Sequence, residues 1–79
     1  TKAWYNLGIA YDDIKRYNDA IKAYRQAIQI DPEYANAWYN LAISCFHSGN
    51  RAATQEAVQE LRRLDPKQAA ELFKLTAPR

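Results

Sequence analysis

Ala3-Trp4-Tyr5-Asn6-Leu7 and Ala37-Trp38-Tyr39-Asn40-Leu41 are the same five residues, set 34 positions apart. The same shift lays Ile9 on Ile43, Ala23 on Ala57, and Asp31-Pro32 on Asp65-Pro66. A fixed period of this size marks one supersecondary unit, duplicated and stacked. Inside the first unit, Trp4, Leu7, Gly8 and Tyr11 share one face of a helix spanning about residues 2–14. Lys15-Arg16-Tyr17-Asn18 is a polar break, and Asn18 is placed to cap the next helix. Ala20, Ile21, Tyr24, Ala27 and Ile28 mark that second amphipathic helix, to about residue 30. Asp31-Pro32 stops it, because the residue before Pro leaves helical geometry and Pro cannot continue the ladder.

The second unit predicts helices over 36–48 and 52–64, parted at Ser48-Gly49-Asn50, where Gly49 suits a left-handed helix end. Beyond Asp65-Pro66, the residues Ala69, Leu72, Phe73 and Thr76 mark a fifth helix, which Pro78 stops. Connections this short force antiparallel packing of neighbouring helices. The expected fold is all-α: a right-handed stack of helix-turn-helix repeats, an α-solenoid of five helices. The repeats are 1–34 and 35–68, and 69–79 is a capping helix, all within one domain.

Bulk properties agree. Seventy-nine residues make one small domain, and 48% hydrophobic with 25% charged residues is the balance of a folded globular chain. Two Gly and three Pro are too few for a loop-rich or all-β protein. The apolar set never runs beyond three residues, so no segment inserts in a membrane. A start at Thr1 in place of Met reads as a fragment or a processed product. The net charge of +2 is spread over the C-terminal half, without the clustered basic face of a nucleic-acid binder. Cys45, the one cysteine, cannot close an internal disulfide.

These residues resemble the tetratricopeptide repeat, a 34-residue pattern of Trp-x₂-Leu-Gly-x₂-Tyr, then Ala-x₃-Phe, then Pro. Trp4, Leu7, Gly8, Tyr11, Ala20 and Pro32 match it, and Tyr24 stands for Phe. The second unit matches at Trp38, Leu41, Ala42 and Pro66, with Cys45 at the Tyr position and Thr54, Val58 and Leu61 in its second helix. The signature makes packing sense: small residues at Gly8, Ala20 and Ala27 allow close approach, and large rings fill the surrounding space. Trp4, Leu7, Tyr11 and Tyr24 are therefore expected to form one cluster, with Leu41, Cys45 and Val58 forming its successor and Trp38 bridging the two. Arg51, Gln55 and Arg62 replace Tyr17, Ile21 and Ile28, which suits the polar outer helix of an array's end.

No catalytic constellation is legible. Cys45 and His47 lie two apart on a helix and so point to different faces. A lone His without clustered Cys is no metal site. Asp12 and Asp13 read as a solvated acidic rim. There is no phosphate loop, no HExxH and no CxxC. No enzyme activity, cofactor or metal is expected.

The resemblance implies instead a protein–protein interaction module, whose first helices line a concave groove that receives a protein or peptide segment. Its groove positions fall on Lys2, Tyr5, Asn6, Ile9 and Asp13, then Asn36, Tyr39, Asn40, Ile43 and His47, then Phe73 and Lys74. Apolar surface outside the core invites a partner, and Asn amides can both donate to and accept from an extended backbone. Members that clamp a C-terminal carboxylate use five Lys, Asn and Arg side chains. Here only Asn40 and Lys74 match, while Tyr5, Ile9 and Ala70 replace the rest, so chaperone tails are not the expected ligand. The rival expectation is a structural end-cap or a self-associating segment, because two repeats leave the outer flank of the first helix, with Ala3 and Ala10, uncovered.

Overall fold

The computed structural model describes residues 2–76, which form α1 (Lys2–Asp13), α2 (Tyr17–Ile30), α3 (Ala35–His47), α4 (Arg51–Leu64) and α5 (Pro66–Thr76). α1 packs on α2 and α3 on α4. α2 joins the two pairs through α3, and α5 lies against both α3 and α4. Pro78 and the rest of the expected cap beyond Thr76 lie outside the described residues.

The two inner turns are copies of each other. Lys15 has φ = 63° and Gly49 has φ = 85°, and the two are counterparts under the 34-residue shift. In the first turn Lys15 N–H donates to Asp12 O and Arg16 N–H to Tyr11 O, both at 2.9 Å. In the second, Gly49 N–H donates to Phe46 O at 3.1 Å and Asn50 N–H to Cys45 O at 2.9 Å. The turn is set by these hydrogen bonds, and Lys15 accepts the strained conformation that Gly49 adopts freely. A left-handed L-residue costs roughly 1–2 kcal/mol, and the extra entropy lost by Gly returns about half of that. Lys15→Gly is thus expected to stabilise the fold by about 0.5–1 kcal/mol and raise the melting temperature by roughly 3–6 °C in a circular-dichroism melt. An unchanged or lower melting temperature would show that the Lys15 side chain offsets its own strain.

Helix ends depart from the sequence expectation in two places. Asn18 does not cap α2. The helix starts at Tyr17, flanked by Arg16 with no side-chain cap, because the turn closes one residue earlier through Arg16 N–H. Arg16 instead pairs with Asp19 at 2.7 Å, an acid in the first turn where the helix dipole favours it. In α4 the counterpart of Arg16 is Asn50, and its Oδ1 accepts from Ala53 N–H at 3.1 Å. The second departure is at Asp65-Pro66, which ends α4 and also opens α5. Asp65 Oδ1 accepts from Gln68 N–H at 3.2 Å, and Pro66 sits at the first helical position, where its missing N–H costs nothing. Asp31 has no such role, and its Oδ1 accepts from Glu33 N–H in a turn before α3.

The core runs along the inner seams: Ala20, Tyr24, Leu41, Ala42, Cys45, Ala57, Val58, Leu61, Ala69 and Leu72 are buried together. Gly8 is fixed by Tyr24, since a Cβ there would stand 2.6 Å from Tyr24 Cδ1 and closer still to Cε1. Trp38, expected to bridge the units, is half-buried against the core and lines one cleft with Arg25 and Ile28 of α2 and Ala53 and Ala57 of α4. The expected cluster of Trp4 and Leu7 with Tyr24 does not form, for both residues are 40% exposed. They lie over the outer α1–α2 seam beside Asp19, Lys22 and Ala23. Their counterparts Trp38 and Leu41 differ only in having α2 alongside.

Candidate functional site

The faces of α1, α3 and α5 carry the residues that the repeat singles out. Tyr5, Ile9, Tyr39 and Ile43 are half-buried and rest on the core, forming an apolar floor. Lys2, Asn6, Asp13, Asn36, His47, Phe73 and Lys74 flank it with greater exposure. Asn40 is half-buried, and its Nδ2 donates to the Tyr5 hydroxyl at 3.0 Å, tying α3 to α1. The Tyr5 ring lies 5.0 Å from Tyr34 and 6.0 Å from Tyr24. Asn36 Oδ1 accepts from Gln68 Nε2 at 3.4 Å, tying α3 to α5. These two Asn amides are engaged within the fold, whereas Asn6 makes no side-chain hydrogen bond among the described residues.

Two groove candidates are directed elsewhere by their contacts. His47 stacks on Tyr17 at 5.1 Å and meets the edge of Phe46 at 5.9 Å, which draws the imidazole toward the start of α2. Phe73 is 54% exposed and lines a cleft of about 330 Å³ shared with Phe46 and α4. Lys2, Asp13 and Lys74 remain as exposed charges at the ends of the face.

Asp12 is a finding that sequence reasoning missed. It is no solvated rim residue. Its Oδ2 accepts from the Tyr24 hydroxyl and its Oδ1 from Ser44 Oγ, each at 2.7 Å. One carboxylate thus ties α1, α2 and α3 together beneath the site. The available signal was Tyr24 itself, since Tyr in place of Phe at a core position brings a hydroxyl that must find a partner.

Burial, and then the bond to Asp12, hold the Tyr24 hydroxyl protonated far above its ordinary value of 10.0. Tyr5 is also raised, by burial and then by Tyr34, with the Asn40 bond opposing. A folded-state value above the unfolded one gives stability that is complete below the unfolded value and declines as pH rises through the folded one. Alkaline unfolding should therefore set in above pH about 10, steepening by about 1.4 kcal/mol per pH unit for each such group. Tyrosinate absorbance should rise in two stages, with Tyr24 ionising only as helicity is lost, and Tyr24→Phe should make the pH dependence shallower. All six tyrosines titrating in one step with helicity intact would refute the assignment.

Cys45 is fully buried, and burial pushes its thiol up despite the nearby Arg25, so the nucleophilic thiolate is disfavoured. Among the described residues no three His, Cys, Asp or Glu side chains gather as a metal site would require, and no helix is long and apolar enough to cross a membrane.

Comparison with known proteins converges on one family. Two models, each described as tetratricopeptide repeat, match residues 1–34 and 23–59. The chain is 41% identical over 46 residues to the peroxisomal targeting signal receptor of Eremothecium gossypii, which covers 58% of this chain and 8% of that protein. The receptor of the same name from Saccharomyces cerevisiae is 39% identical over the same length and share of each chain. An N-terminal acetyltransferase A complex subunit-like protein of Schizosaccharomyces pombe is 38% identical over 39 residues, 49% of this chain and 6% of that protein. The chain therefore spans less than a tenth of the length of these curated relatives. In its 34-residue period, its paired helices and both family matches, the chain belongs to the tetratricopeptide repeat family.

Proposed function

We propose that this chain is a non-enzymatic module that binds an extended peptide segment of another protein along the α1–α3–α5 face. The observation that carries this reading is the half-buried floor of Ile9, Tyr39 and Ile43 beside the exposed Asn6 amide, with Lys2 and Lys74 at its edge. Apolar floor gives affinity, and an amide that pairs with both N–H and C=O gives backbone recognition without demanding one sequence. The relatives named as targeting signal receptors favour a recognition role, and the subunit-like relative favours assembly with other proteins. The Asn40 amide gives one of its two donors to Tyr5, so a carboxylate clamp there would draw on the other alone.

Selection of peptides from a random displayed library tests the reading. Asn6→Ala combined with Lys74→Glu should weaken the selected peptides by about thirtyfold or more, the effect of losing one charge-assisted and one neutral hydrogen bond. The melting temperature should hold, since both side chains are exposed. Binders indifferent to these substitutions would place recognition elsewhere and remove the proposal.

A structural role is the second reading, favoured by the exposed Trp4 and Leu7. Such a pair on one seam invites a second copy. Sedimentation over a hundredfold concentration range separates the two readings, and a strictly monomeric chain leaves only peptide recognition.

A further inference from the structure

The α1–α3 face carries tyrosines at a regular spacing. Tyr5, Tyr34 and Tyr39 are each half-buried, with part of the residue open to solvent. Tyr34, at the turn before α3, has its ring 5.0 Å from that of Tyr5, so the two form one aromatic ledge. Tyr39 is the counterpart of Tyr5 one repeat on and forms a second ledge on α3. The Asn40–Tyr5 and Ser44–Asp12 hydrogen bonds hold α1 and α3 side by side. Packed helices stand about 8–10 Å apart, which sets the step from one ledge to the next. One turn of polyproline II, three residues at about 3.1 Å each, covers about 9 Å, so its residues i and i+3 meet both ledges at once. A β-strand repeats on one side every two residues, about 7 Å, and falls out of step.

The polar groups of the face point the same way. Tyr5 oxygen accepts from Asn40, which leaves the phenol proton free to donate. The hydroxyls of Tyr34 and Tyr39 and the amide of Asn6 make no side-chain hydrogen bond among the described residues. Asp13, at the end of α1, is the one carboxylate among the described face positions. Donors therefore outnumber acceptors. A run of prolines is the complement in partial charge, since it offers carbonyls and no N–H.

We propose that the segment bound by this face is proline-rich and lies on it as a left-handed polyproline II helix. Prolines three positions apart rest on the Tyr5–Tyr34 and Tyr39 ledges, and the carbonyls between them accept from the phenols and from Asn6. The inference rests on the peptide reading above and adds the composition and conformation of the peptide. A proline run is already extended when free, so it loses little chain entropy on docking to a shallow floor.

The test uses an oligoproline of about nine residues, capped at both ends, and its all-D mirror image, which has the same composition and the opposite hand. Amide chemical shifts of the whole chain report where each binds. The L-peptide should perturb residues around Asn6, Tyr34 and Tyr39, and bind about tenfold tighter than the D-peptide, whose carbonyls miss the donors. Tyr39→Phe keeps the ring and removes one donor, so it should weaken the L-peptide about fivefold while the helical spectrum stays unchanged. Equal binding of the two enantiomers, indifference to Tyr39→Phe, or shifts away from α1 and α3 would each overturn the proposal. Failure of oligoproline to bind, where library-selected peptides do bind this face, would remove the proline inference alone. Failure of both would remove the peptide reading with it.

Discussion

Trp38→Ala is expected to cost about 3 kcal/mol, whereas Trp4→Ala should cost less than about 1 kcal/mol. The two tryptophans occupy the same register of the same repeated pentapeptide, so helix propensity and local sequence cancel in the comparison. What differs is the neighbourhood. Trp38 lies between α2 and α4, beside Arg25, Ile28, Ala53 and Ala57, and its Nε1 donates to Pro32 O at 2.8 Å. Its loss opens a cavity at the joint between the two helix pairs and frees the turn before α3. Trp4 is 40% exposed, and its removal takes away contacts that solvent already shares. A chain of this size has a total stability of roughly 4–12 kcal/mol, so the Trp38 variant should unfold at much lower denaturant, with the Trp4 variant close to the parent. Equal midpoints for the two variants in urea titration would show that the register, and not the neighbouring helix, sets the contribution.

That contrast also marks where sequence reasoning stops. The period, the five helices and the Asp-Pro boundaries were legible because they depend on local pattern and on repetition. The exposure of Trp4 and Leu7 was not, because burial depends on which helix lies alongside and identical residues carry no label for it. The strained turn at Lys15 was within reach, since the 34-residue shift places it on Gly49, whose left-handed role was evident. At the candidate site the repeat picked out the face, but not which side chains on it are already engaged. Asn40 donates to Tyr5 and His47 stacks on Tyr17, and both contacts join helices far apart in the chain. Such pairings need the packed geometry. Phe73 is the reverse case: its register matched Tyr5 and Tyr39, yet it is 54% exposed and lines a cleft with Phe46 and α4.

The second large effect concerns the carboxylate beneath the site. Asp12→Ala should destabilise the fold by about 3 kcal/mol, because it leaves two hydroxyls, Tyr24 and Ser44, without their acceptor in the interior. Both residues are fully buried, so water cannot easily take the place of the carboxylate. Each orphaned hydroxyl costs about 1–3 kcal/mol, and removal of the unpaired groups should recover most of the loss. The triple variant Asp12→Ala, Tyr24→Phe, Ser44→Ala is therefore expected to be more stable than Asp12→Ala alone, despite carrying two further substitutions in the core. Non-additivity of that kind is the signature of a shared network. Asp12→Asn should fall between, since the amide oxygen can still accept from one hydroxyl while its NH₂ can donate to the other only if that hydroxyl turns its own proton to a new acceptor. The loss should also reach the α1–α3 face, for Asp12 ties α1 to α3 and the bond from Asn40 to Tyr5 spans the same two helices. If Asp12→Ala matched the parent in urea unfolding, or if the triple variant fell by the simple sum of its parts, Asp12 would be an ordinary surface carboxylate and the tie between α1, α2 and α3 would have to be sought in apolar packing alone.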